Sequence, residues 1–269
     1  MKRDGKVFAS ADEALADIPD GVIMAAHTWG FCGTPCHLFS AIMRSNIKDI
    51  TLLCPNFFPH GALEQFLPGP ASLLPKLKKV ITPGIGVARS VGMADKDFLD
   101  DYVKNGQLET EVIPHGIWIE RLHAAAMGLG GFYNPVGVGT DVETGKEKRV
   151  IDGREYFLEK PIRPDVGLIK ARKADRFGNL VYYGASRGSH PIIAMASKLT
   201  IVEVDEVVEE GELDPEAIVT PGIYVDRIVK MQEGDVGSDK HRRELMQFIM
   251  GDELLRRVLL GVANKGEQK

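Results

Sequence analysis

One stretch constrains the chain more than any other: Asp20 to Pro35, Asp-Gly-Val-Ile-Met-Ala-Ala-His-Thr-Trp-Gly-Phe-Cys-Gly-Thr-Pro. Val22 to Ala26 is a short apolar run, the pattern of a strand buried on both faces. It leads into Gly30 and Gly33, which accept backbone geometries that other residues resist. Thr34 and Pro35 suit the N-cap and first turn of a helix continuing to about Arg44. A strand, a glycine turn and a helix start together predict an α/β unit. In such a unit, backbone N–H groups at the turn can face an anion or a developing oxyanion.

The rest of the chain alternates in the same way. Ser10 and Glu13 have capping-box spacing ahead of a helix over about Ala11 to Ile18. Thr51–Cys54 reads as a strand, followed by the loop Pro55–Gly61 with Phe57, Phe58 and His60. Lys79–Thr82 is a third strand, ending at Pro83-Gly84-Ile85-Gly86. Asp97–Lys104 is a helix stopped by Asn105-Gly106. Leu108–Ile113 alternates as a strand and ends at Pro114-His115-Gly116. A helix with Trp118, Leu122 and Ala125 on one side then runs to Gly128. Asp152-Gly153, between Lys148–Ile151 and Arg154–Leu158, has type I′ hairpin chemistry. Val166–Ala171, Leu180–Tyr183 and Leu199–Val204 are further strands, the first two joined by the turn Asp175–Asn179. The expected fold class is therefore α/β: a mainly parallel open sheet covered by helices, with a β-hairpin insertion. From Gln232 the chain is polar, then amphipathic through Leu245, Phe248, Ile249, Leu255 and Leu259. The expected organisation is a main domain over 1–230 and a C-terminal helical extension over 231–269.

Composition limits the partners. The 269 residues are 44% hydrophobic and 26% charged, with net charge −5 and pI near 5.8. That balance gives no reason to expect nucleic acid or an anionic membrane surface. No apolar run approaches the roughly 20 residues that span a bilayer. The charged N-terminus has no apolar core behind it, so a signal peptide is not expected. Three cysteines, Cys32, Cys36 and Cys54, cannot all pair, which points to a reducing, cytoplasmic compartment.

The order of residues carries a more specific signal. Asp20, Gly21, Met24 to Ala26, Gly33 and Pro35 fit an Asp-Gly turn, a hydrophobic strand and a Gly-x-Pro ending. Phe132-Tyr133-Asn134-Pro135-Val136-Gly137-Val138-Gly139-Thr140 forms a second motif, and Lys170-Ala171-Arg172-Lys173-Ala174-Asp175 with Gly178-Asn179 a third. Thr200–Glu206 and Thr220–Arg227 add two more. In this order they resemble the α subunit of the family I coenzyme A transferases, over about Ala11 to Lys230. The resemblance implies a CoA-transferase-like fold and transfer of CoA from an acyl-CoA to a carboxylic acid. It implies an acyl-CoA thioester as substrate and no permanently bound cofactor. In that family a glutamate attacks the thioester and passes through a glutamyl-CoA thioester. The glutamate lies in a Ser-Glu-Asn-Gly-like motif of the β subunit. No Glu-Asn-Gly occurs in this chain. The resemblance thus implies a catalytically incomplete chain, working with a separate β subunit in an α2β2-type assembly.

Departures from the family pattern single out candidate substrate-binding residues. His27, Thr28 and Trp29 stand where the family has Gly-Gly-Phe, beside Gly30 and Gly33. Pro114-His115-Gly116-Ile117-Trp118 and Ser186-Arg187-Gly188-Ser189-His190-Pro191 also differ, and Asn134 takes a threonine position. His27, Thr28, Trp29, Gly30, Gly33, His115 and Asn134 are therefore the expected pocket residues, with no catalytic residue of the chain's own. Cys32, Cys36 and His37 complete no recognised zinc spacing, so no metal is expected. His190 reads as an ordinary loop residue. Lys170 and Lys173 are open between phosphate attraction and a solvated strand end. Glu120 pairs locally. Two other readings share these residues: the α chain of a CoA-ester hydrolase or ring-opening enzyme, with His27 assisting, and a ligand-sensing domain without catalysis.

Overall fold

A computed structural model describes residues 5–28, 33–57, 68–83 and 100–251. In chain order its strands and α-helices are β1 (Val7–Phe8), α1 (Ala11–Leu15), β2 (Ile23–Ala26), α2 (Cys36–Arg44), β3 (Ile50–Leu53), β4 (Leu77–Thr82), α3 (Asp100–Lys104) and β5 (Glu109–Val112). There follow α4 (His115–Ala126), β6 (Phe132–Asn134), β7 (Lys148–Ile151), β8 (Arg154–Glu159), β9 (Val166–Asp175), β10 (Leu180–Val181), α5 (His190–Ala196), β11 (Leu199–Val208), β12 (Arg227–Lys230) and α6 (Asp239–Gly251). Several expected features lie outside the described residues: Phe58, His60, Gly84 to Gly86, the first residues of the Asp97 helix, Leu255 and Leu259.

Among the described residues the main sheet runs β1-β12-β11-β9-β2-β3-β4-β5, with β10 added antiparallel to β9. Every neighbouring pair along that path is parallel. The chain lays down β2 to β5 outward in one direction, then returns to β9 on the other side of β2. The order therefore reverses between β2 and β9, and open α/β sheets bind ligands beyond the carboxyl ends of strands at such a point. His27 and Thr28 follow β2 at that place. The expected hairpin is present, with Asp152 at φ 49° and Gly153 at φ 76°, as a type I′ turn requires. It joins β6 in a separate three-stranded antiparallel sheet. The strands β1, β6 and β12 are not expected from the sequence, and each has four residues or fewer.

Period-two alternation divides the strands between two apolar layers. Met24, Ala26, Leu52, Val80, Val166, Leu168 and Ile201 pack with Leu15 of α1 and with Leu38, Phe39 and Ile42 of α2. Ala25, Leu53, Ile81, Ile169, Val202 and Val204 face the other way, onto Trp118 and Leu122 of α4 and Ile193 of α5. The face of α4 expected from Trp118, Leu122 and Ala125 is thus the buried one. The Ser10 hydroxyl caps α1 by accepting from the Glu13 N–H at 3.1 Å.

Helix α5 lies close over β9 because Gly167 has no side chain. A Cβ there would stand 2.5 Å from Ser197 Oγ and 3.1 Å from Ile193 Cγ2. Gly167→Val forces these atoms apart, and overpacking of this kind costs roughly 1–3 kcal/mol. Urea unfolding of the variant should show that loss as a lowered midpoint at an unchanged slope.

Candidate functional site

Three segments meet at the carboxyl end of β2, beside the middle of β9: His27-Thr28 after β2, the turn at Gly33 before α2, and Ser186–His190 leading into α5. His27 is buried, and its Nδ1 lies 2.9 Å from Ser189 Oγ. The Ser189 backbone N–H also donates to that nitrogen at 3.3 Å, which puts the ring proton on Nε2. The His27 and His190 rings stand 4.7 Å apart. Tyr182 stacks on His190 as well, at 5.8 Å and 6°. Thr28 is buried on the opposite flank, where its hydroxyl donates to the Asn56 carbonyl at 2.8 Å in the loop after β3. Two of the three residues replacing the family's Gly-Gly-Phe therefore tie neighbouring loops together. The third, Trp29, lies outside the described residues with Gly30 and Cys32.

Gly33 has φ +75°, and its α-carbon faces the third segment without a gap. A Cβ would sit 2.5 Å from the Ser186 carbonyl oxygen and 2.8 Å from His190 Nε2. The glycine is needed both for its left-handed backbone and for this close approach. Two stretches that depart from the family pattern, at His27 and at Ser186–His190, are thus in direct contact with each other.

The other expected pocket residues sit elsewhere. His115 opens α4 at the carboxyl end of β5, three strands from β2, or roughly 14 Å at the usual strand spacing. It is exposed, yet desolvation by its surroundings holds its pKa below the ordinary histidine value. Asn134 ends β6 in the small sheet, and its side-chain amide donates to the Val136 carbonyl at 2.9 Å.

The start of α2 is arranged differently from the expected N-cap. Thr34 does not cap it: the capping position is Pro35, with no side-chain cap. The Leu38 N–H instead donates to Glu203 Oε2 at 2.9 Å, across 165 residues of sequence. Glu203, on β11, is fully buried and lies directly opposite Lys170 on β9. Lys170 Nζ stands 3.7 Å from Glu203 Oε1 and 3.2 Å from Asp205 Oδ1. Burial raises the Glu203 pKa, only partly countered by Lys170. A carboxylate at a helix N-terminus is favourable, so the α2 dipole already has its anion. Lys170 is buried in that pair, and Lys173 meets Glu206 at 2.7 Å at the surface. The C-terminal segment closes over the same helix end. Arg242 donates to the Thr34 carbonyl at 2.9 Å and to the Gly237 carbonyl at 2.7 Å.

Burial decides the state of two of the three cysteines. Cys36 and Cys54 are fully buried and their thiols are pushed up to about 12, so neither supplies a thiolate nucleophile. No group of metal-ligating side chains occurs among the described residues. Glu120 pairs with His123 at 3.3 Å on the exposed side of α4. Glu203 does not stand out in the sequence as a site residue, Ser189 only as part of a departing stretch, and Lys170 only for phosphate attraction. His190, which reads there as a loop residue, is the first residue of α5 and fully buried. Its contact with His27 spans a long stretch of sequence and leaves no local signal.

Comparison with known proteins places this arrangement in a family. The coenzyme A transferase family model matches residues 8–231. The chain is 40% identical over 225 residues to the α chain of the probable succinyl-CoA:3-ketoacid coenzyme A transferase of Bacillus subtilis, covering 84% of this chain and 90% of that one. It is 41% identical over 226 residues to the α chain of the 3-oxoadipate CoA-transferase of Pseudomonas putida, covering 83% and 93%. The solved glutaconate coenzyme A-transferase of Acidaminococcus fermentans has the same fold, with a TM-score of 0.66 at 18% identity over 92% of this chain and 88% of that one. The chain belongs to the coenzyme A transferase family, as an α subunit.

Glu203 offers a direct test of the buried pair. Glu203→Ala removes the cap and leaves Lys170 poorly paired, an arrangement that costs about 3–5 kcal/mol. Glu203→Gln keeps an oxygen for the Leu38 N–H and should lose less. The sign with pH is set by the raised pKa: native protein holds its proton longer than unfolded chain, so ionising Glu203 costs stability as pH rises. Unfolding free energies should therefore shift in favour of Glu203→Gln, relative to wild type, as pH rises from 4 through the raised Glu203 value.

Proposed function

We propose that this chain works with a separate β subunit that supplies the attacking glutamate, moving CoA from an acyl-CoA to a carboxylic acid. The single observation that carries this reading is the roughly 40% identity to transferase α chains over nearly their whole length. The site chemistry agrees with it. Glu203 and Asp205, the carboxylates near the β2–β9 crevice, are both held by Lys170, and no Glu-Asn-Gly motif is present in the chain. A nucleophilic carboxylate must be ionised and free to reach the thioester.

In the proposed sequence the partner's glutamate attacks the thioester carbonyl and CoA thiolate departs, leaving an acyl-glutamyl anhydride. The thiolate then attacks the glutamyl carbonyl of that anhydride, releasing the first acid and forming a glutamyl-CoA thioester. An acceptor carboxylate reverses both steps. The α chain's part is to wall the crevice and to place the Gly33 turn against the reacting centre. The substrates are acyl-CoA thioesters and small carboxylic acids, with CoA as a substrate rather than a resident cofactor. Assembly is α2β2-type, in the cytoplasm. With His27 and Thr28 filling space where the family has glycines, the acyl pocket differs from those of the short-chain oxoacid enzymes.

The purified chain alone should show no CoA exchange with a panel of acyl-CoAs and acids. Co-expression with a β chain bearing Ser-Glu-Asn-Gly should restore exchange, and borohydride should then trap a glutamyl adduct on the β chain. Exchange by the isolated chain contradicts this division of roles.

A further inference from the structure

One buried polar group has no part in the proposed CoA transfer. His190 is fully buried beside the carboxyl end of β2 and the middle of β9, next to Lys170. Its Nδ1 accepts from the Lys170 backbone N–H at 3.4 Å, so the ring proton sits on Nε2. Burial, with His27 and Lys170 close by, keeps the imidazole neutral by holding its pKa well below the ordinary value. Nε2–H points at the backbone of Gly33 closely enough for a weak interaction with it, but in this structure no well-formed hydrogen bond to a described residue is completed. It is held in that direction from three sides: by Lys170, by the stacked Tyr182 ring and by the His27 ring, itself fixed by Ser189. A buried donor without an acceptor costs free energy, and nearly all such groups in folded proteins are paired. The bond from Lys170 accounts for an acceptor at Nδ1 but gives no reason for a donor at Nε2.

We infer that His190 is a positioning residue for CoA transfer: in the substrate complex its Nε2–H bonds the Gly33 carbonyl and fixes the turn that begins α2 against the reacting centre. The inference rests on the proposed transferase reading. The Gly33 turn has room for this movement on the His190 side only because it carries no Cβ. Fixing the turn matters most at the transition state, so the bond acts on kcat more than on KM.

Two variants test it in the αβ complex. His190→Leu matches the ring's bulk without the donor, and His190→Gln returns an N–H near the position of Nε2. We expect His190→Leu to lower Tm modestly, since it removes the Nε2–H donor but strands the buried Lys170 N–H, while kcat falls at least tenfold and KM stays within twofold. His190→Gln should recover most of that kcat. A leucine variant with kcat within twofold of wild type overturns the inference, as does a parallel fall of Tm and kcat in both variants. A measurement on the wild-type complex covers the case in which the leucine variant does not fold. With nitrogen-15 histidine, adding acetyl-CoA should move the His190 Nε2–H resonance downfield and slow its exchange with water; an unmoved resonance overturns the inference. Because that measurement needs no turnover, a complex that binds acetyl-CoA without transferring CoA counts against the transferase reading alone.

Discussion

The start of α2 depends on a carboxylate from β11, two strands away from β2 on the same face of the sheet. Glu203 is fully buried, shared between the Leu38 N–H and the Lys170 ammonium. Ion pairs at this depth seldom add net stability over apolar packing, but breaking one is expensive. What the pair supplies is location. It ties β11 and β9 to the first turn of α2, and thereby sets where Gly33 and Thr34 stand at the crevice. The opposite face of the sheet repeats the device with neutral groups. There His27, Ser189 and His190 join β2 to the start of α5. The turn at Gly33 therefore lies between the Glu203–Lys170 pair on the α2 side and the His27–Ser189–His190 cluster on the α5 side.

This division has an electrostatic consequence. A transferase site handles carboxylate substrates and a developing oxyanion, so an unbalanced charge beside the turn would shift affinity and rate together. Lys170 meets two carboxylates, Glu203 and Asp205, and is buried with Glu203. On the other face the buried histidine is neutral by desolvation. The walls of the crevice nearest Gly33 are thus close to charge-balanced. That leaves the field at the reacting atoms to be set by a partner's groups and by backbone dipoles.

The fold is more legible in the sequence than the site is, for a physical reason. Strands buried on both faces read as apolar runs, so β2, β3, β4, β9 and β11 are visible as segments of four to ten residues. Asp152-Gly153 announces its turn because only a few residues accept positive φ at both positions. Such signals are local. Thr34 and Pro35 are a good local answer for the cap of α2, but a tertiary contact 165 residues away overrides them. His190 is hidden for the same reason: a histidine beside a proline and close to a glycine looks like loop until the sheet places it against His27. His27 itself is legible only as a departure from a family pattern, which shows where a site has changed without showing what the new side chain touches.

Those contacts change how the departures themselves should be understood. An imidazole in place of glycine after β2 needs space, and Gly188 provides it. At φ +37°, Gly188 lies so close to the His27 ring that any Cβ would collide with it. The two loops are therefore coupled: a side chain at 27 requires glycine at 188, and the Ser189 hydroxyl then satisfies the buried ring nitrogen. Sites in one hydrogen-bonded contact do not contribute additively. Reverting His27 alone to glycine would leave a cavity and an unpaired Ser189, whereas altering the Ser186–His190 loop alone would strand a buried imidazole. The crevice wall therefore behaves as one unit, in which substituting either half alone costs more than its own contacts.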